Sequence, residues 1–92
     1  MKEALLVLIL LAILLAFVGI GVILPADGNS LLVKLNAALS AANRGNNTAS
    51  INSLDAFVNQ VNALTKTGKL TAVQGQSLID QATVAISTLG GK

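Results

Sequence analysis

Residues 4–24 read ALLVLILLAILLAFVGIGVIL, 21 positions without one charged or polar side chain in a chain of 92. As a helix rising about 1.5 Å per residue, the run reaches roughly 30 Å, the thickness of a bilayer's hydrocarbon core. Sixteen of its residues are Leu, Ile, Val or Phe, and each gains about 1.5–3 kcal/mol by leaving water. The run is apolar all round, unlike the amphipathic helix of an ordinary small domain. A monomer with this helix exposed should not persist in water. Its surroundings must be a bilayer, a packed assembly, or the translocation path of an export signal.

The export-signal reading requires a basic start, a short apolar region and a small-x-small cleavage site. Lys2 is basic, but Glu3 follows it, and the apolar stretch exceeds the usual 7–15 residues. Leu24-Pro25-Ala26 makes a poor cleavage site, and Gly19-Ile20-Gly21 is the better small-x-small candidate. The weight of the pattern therefore favours a retained segment, and residues 1–25 are expected to form a hydrophobic N-terminal helix.

Beyond that helix 67 residues remain, near the lower limit of what one hydrophobic core stabilises, so one small domain is expected. The chain has no Cys and no His, which excludes disulfides and thiolate or imidazole metal sites. Its net charge is +2, and Lys34, Arg44, Lys66, Lys69 and Lys92 are scattered without aromatic residues between them. Nucleic acid is excluded as a partner, because its binding needs a concentrated basic face or stacking rings. From Ala26 onward, 24 Asn, Gln, Ser and Thr residues stand against eight charged ones. Such a surface stays wettable without strong like-charge repulsion.

Helical periodicity organises the remainder, and the fold class is all-α: the long hydrophobic helix followed by a small bundle of three amphipathic helices. Pro25 interrupts the apolar run, Asp27-Gly28 predicts a turn, and residues 26–30 read as a linker in which Asn29 or Ser30 caps the next helix. The helical module then occupies residues 31–92. In residues 31–42, Leu31, Leu32, Leu35, Ala38, Leu39 and Ala42 follow three- and four-residue spacing, and Asn43 to Asn47 end that helix. A second helix is predicted over residues 48–67, with Ile51, Leu54, Phe57, Val58, Val61 and Leu64 as its inner stripe and Gly68 as its stop. A third begins after Thr71, which with Gln74 fits the capping box, and buries Leu78, Ile79, Ala82, Ala85, Ile86 and Leu89 before Gly90-Gly91. The core of the head is expected to centre on Leu35, Leu39, Leu54, Phe57, Val61, Leu78, Ile79 and Ile86. Gly75, inside the third helix, marks either a close helix crossing or a tolerated weak helix former.

Two stretches of this module resemble the FIMAH domain family. NSLLVKLNAALSAANRGN is similar to the family's NSL-x-x-KL-x-AA helix and the Gly-containing turn after it. INSLDAFVNQVNALTKTGKLTAVQGQSLID is similar to its L-x-AF-[I/V]-x-x-V-x-AL helix, G-x-L-T turn and G-x-x-LI segment, with Phe57-Val58 at the name-giving positions. The resemblance covers about residues 29–89. It implies a small all-helical interaction module of secreted or surface proteins, with no catalytic residues to transfer. The family normally carries an amphipathic helix before its NSL motif, a place that the apolar run occupies here.

No enzyme is expected. Past the apolar run the only carboxylates are Asp27, Asp55 and Asp80, with no His, Cys or Tyr to act as base, thiolate or phenolic acid. Asp55 and Asp80 fall on the predicted polar faces of different helices. Asp27-Gly28-Asn29 has the start of a calcium loop, but Leu31 follows where an oxygen ligand is required, so it reads as a turn and no metal or cofactor is expected. Asn46-Asn47-Thr48 is an N-x-T acceptor sequence in a predicted exposed loop.

Two functions fit these residues. In the first, copies pack their hydrophobic helices into the core of an extracellular or cell-surface filament, with the polar heads outside. Leu6, Ile9, Leu10, Ile13, Ala16, Phe17, Gly19, Ile20 and Gly21 would form that interface, and Ala12, Ala16, Gly19 and Gly21 are small enough for close helix contact. The layout is similar to that of pilins, a retained apolar helix with a Pro near its end and then a polar head. It departs from the type IV pattern in having Leu5 where Glu is expected, Glu3 two residues earlier, and Met1 taken as the start without a leader. In the second, the run is a single membrane anchor, with Lys2 on the cytoplasmic side and the module outside as an interaction head for a surface protein or glycan. The partners expected are thus further copies of the chain and a membrane, either before assembly or permanently.

Overall fold

The computed structural model describes residues 25–90, which form three helices: α1 (Pro25–Asn43), α2 (Asn47–Lys66) and α3 (Ala72–Thr88). There is no strand among the described residues, so they are all-α. Residues 4–24, and with them the expected apolar helix, lie outside the described residues. Among the latter, no helix is long and apolar enough to cross a membrane.

The first helix begins earlier than its periodicity predicts. Residues 26–30 are not a turn or linker but the opening of α1. Proline is accepted in a first turn because its missing N–H has no intrahelical acceptor to lose, and its fixed φ is already helical. Asp27, whose pairing with Gly28 suggested the turn, places its carboxylate in that first turn, where free N–H groups favour negative charge. Ser30, expected as a cap candidate, lies inside the helix. Its hydroxyl donates to Gln60 Oε1 of α2 at 3.2 Å and accepts from Lys34 Nζ at 3.3 Å.

Two turns of the same construction reverse the chain. At the end of α1, the N–H of Asn46 donates to Ala41 O at 2.8 Å and that of Gly45 to Ala42 O at 3.0 Å. At the end of α2, Lys69 donates to Leu64 O at 2.9 Å and Gly68 to Thr65 O at 3.2 Å. Both are Schellman motifs, which require a left-handed residue after the helix. Gly45 (φ 77°) and Gly68 (φ 81°) supply it without the Cβ penalty. Asn46 immediately caps the next helix, its Oδ1 accepting from Ala49 N at 3.2 Å. Thr71 and Gln74 complete the predicted capping box of α3, with reciprocal bonds of 3.1 and 3.0 Å.

Helix α2 is the central element and packs against both α1 and α3. Leu31, Leu35 and Ala38 of α1, Leu54, Phe57 and Val61 of α2, and Leu78, Ala82 and Ala85 of α3 are wholly buried in one cluster. The expected core residues Leu35, Leu54, Phe57, Val61 and Leu78 sit at its centre, whereas Leu39, Ile79 and Ile86 are half-buried against its edge. The alanines matter geometrically, because short side chains let neighbouring helices approach. Leu70, in the α2–α3 turn, is 2% exposed and closes one end of the cluster.

One polar side chain lies within this interior. Ser50 is fully buried, and its hydroxyl donates to the carbonyl oxygen of Ala38 at 2.8 Å, joining α2 to α1. The bond satisfies a group whose burial without a partner costs about 1–3 kcal/mol.

Candidate functional site

The described acidic groups are dispersed. Asp27, at the start of α1, is 3.5 Å from Lys69 in the α2–α3 turn, a partly exposed pair. Asp80 accepts from Gln76 Nε2 at 2.7 Å, one turn away on α3. Asp55 is exposed on α2. The carboxylates thus stand on three different helices, and no group of three potential metal ligands exists among the described residues. Asp27-Gly28-Asn29 forms helix rather than a loop, so the calcium-loop geometry has no counterpart.

The most extended polar feature is the outer face of α2. Thr48, Asn52, Asp55, Asn59, Asn62 and Lys66 are all exposed and recur at alternating four- and three-residue steps. They run along the side opposite Ser50, Leu54, Phe57, Val61 and Leu64, as the 3.6-residue period dictates. Three of the six are Asn, whose carboxamides offer both donors and acceptors. The stripe holds one Asp and one Lys, leaving no net charge. It is suited to hydrogen bonding with a hydrated surface.

At one tip of the bundle the α1–α2 turn meets the end of α3. Asn47 Nδ2 donates to Leu89 O at 3.4 Å, holding the two together. Arg44, Gly45, Asn46, Asn47 and Thr48 are exposed there. The opposite tip holds the start of α1, the Asp27–Lys69 pair and the beginning of α3.

The expected assembly or membrane contacts, Leu6, Ile9, Leu10, Ile13, Ala16, Phe17, Gly19, Ile20 and Gly21, lie outside the described residues. Two structural residues escaped the sequence reading. Ser50 extends the α2 stripe, standing four residues before Leu54 and seven before Phe57, but its polarity disguised it. Leu70 falls in a turn, where helical periodicity has nothing to report.

Fold and surface together define a small helical module with a polar outer face on α2. The FIMAH domain family model matches residues 12–87, and the chain belongs to that family. The match points to a cell-surface, adhesin-associated domain. No curated protein and no solved structure matches the chain. The match begins at Ala12, inside the apolar run, earlier than the start near Asn29 that the quoted motifs support.

Proposed function

We propose that the chain is a non-catalytic structural subunit of a cell-surface filament, held together by its apolar runs and presenting its helical heads to the exterior. One observation carries the reading: the described head closes its own core and leaves only isolated apolar side chains outside. Its large exposed hydrophobics are Val33, Val73 and Val84. Single exposed apolar residues are normal on a soluble surface and make no association patch. The drive to associate therefore rests with residues 4–24, whose sixteen large apolar side chains have no comparable polar relief. A head nearly free of net charge suits close repetition, since a heterologous interface repeated along a fibre brings like surfaces together many times.

The membrane-anchored reading draws on a different observation, the match between a 21-residue apolar run and the thickness of a bilayer. In it the same head serves as a tethered interaction module outside the cell. Electron microscopy of material sheared from the producing cells, kept free of detergent, separates the two. Regular fibres containing the full chain support the filament. Retention in the membrane pellet until detergent is added, with no fibres, supports the anchor.

A further inference from the structure

Of the eight Asn residues, only Asn46 begins an N-x-S/T sequence, with Asn47 and Thr48. We infer that Asn46 is an N-glycosylation site, a proposal that rests on the head being outside the cell. The geometry gives this Asn what an acceptor needs. It is exposed, it lies between two helices rather than within one, and the preceding Gly45 carries the chain through a left-handed turn. Its two polar side-chain atoms have separate tasks. Oδ1 accepts from Ala49 N at 3.2 Å as the cap of α2, whereas Nδ2 has no hydrogen-bond partner among the described residues. The neighbouring Asn47 is the opposite case, with its Nδ2 committed to Leu89 O.

This division makes the modification compatible with the fold. In the transfer, Asn46 Nδ2 forms a bond to the anomeric carbon of a lipid-linked oligosaccharide phosphoester. The bond from that carbon to the phosphate oxygen breaks, and the lipid phosphate leaves with the electron pair. One Nδ2 proton passes to a base of the transferase and then to solvent. The product amide keeps Oδ1, so the helix cap survives. The site lies at one tip of the head: α1 is 19 residues long and spans about 28 Å, which sets Asn46 far from Pro25 at its start.

The test is the intact mass of the full-length protein isolated from its producing cells, with accessibility of the head to added protease on whole cells measured in parallel. The expected result is a mass above that of the polypeptide by whole sugar residues. This increment is lost in Asn46→Asp, which retains the capping oxygen, and in Thr48→Ala, and is kept in Thr48→Ser. A wild-type mass equal to that of the polypeptide, or an increment surviving Asn46→Asp, overturns the site. If the head is nevertheless cleaved by external protease, the surface location stands and the glycosylation alone fails. If it is protected as well, both readings fail together.

Discussion

Gly75 of α3 lies directly over the side chain of Thr65 on α2: a Cβ added to the glycine would overlap Thr65 Oγ1 and stand 3.4 Å from Thr65 Cβ. That hydroxyl is itself engaged, donating to Val61 O at 2.9 Å. Of the two readings open for a mid-helix glycine, the structure selects the close crossing. Gly75→Ala sets a helix-propensity gain of about 1 kcal/mol against overpacking that typically costs about 1–3 kcal/mol. Rotating Thr65 to escape would break its bond to Val61 O. The expected outcome is a lower melting temperature for Gly75→Ala, followed by circular dichroism on the full-length chain. Thr65→Ala in the same molecule should recover part of the loss, giving a non-additive double-mutant cycle. A rise in melting temperature for Gly75→Ala alone would show that the crossing tolerates a methyl group.

Ser50→Ala should destabilise the head by about 1 kcal/mol, the net worth of a buried neutral hydrogen bond. Ser50→Val should cost more, because it loses the bond to Ala38 O and puts a larger side chain into a fully buried position. The ordering of the two variants in a denaturant titration is the discriminating result. Equal stability of Ser50→Val and wild type would mean that the α1–α2 contact relaxes freely.

Phe57 and Val73 form a contrasting pair. Phe57 is wholly buried at the centre of the cluster, and Phe57→Ala is expected to cost about 3–5 kcal/mol. Val73 is 81% exposed, so Val73→Ser should stay within about 0.5 kcal/mol of wild type. The measured difference in unfolding free energy checks the assignment of the core directly.

The capping box at α3 offers a local test. Thr71→Ala removes the acceptor of Gln74 N and should cost about 1 kcal/mol, whereas Thr71→Ser should be nearly neutral. Amide hydrogen exchange in the first turn of α3 should rise in the alanine variant first. If the protection of that turn is unchanged, the cap is dispensable.

Gly19 and Gly21 address the proposed assembly. Replacing both by Leu should weaken fibres by removing close backbone contact between packed helices, without altering the helical signal of the head. The amount of sedimentable fibre per cell reads this out. Fibres unchanged in number and shape would remove those glycines from the interface.

The head was legible where periodicity and capping chemistry act over a few residues. Leu35, Leu54, Phe57, Val61 and Leu78 share faces set by the 3.6-residue turn, and each is wholly buried. Thr71 and Gln74 bond within one turn of chain, so their pairing needs no tertiary partner. The start of α1 was not legible in the same way. Asp27-Gly28 after a proline has turn chemistry, yet both residues also fit a first helical turn, and only the packed molecule chooses between them.

What the sequence by itself determined is the class of the protein: an all-helical head beside a run too apolar to stand in water. These follow from composition and local spacing, which do not depend on the partners each helix finds. Only the tertiary structure decided that Gly75 is a contact with Thr65, that Ser50 belongs in the core, and that Ser30 bridges to Gln60 rather than capping a helix. Each joins residues at least ten positions apart, and which distant groups meet depends on how the helices cross.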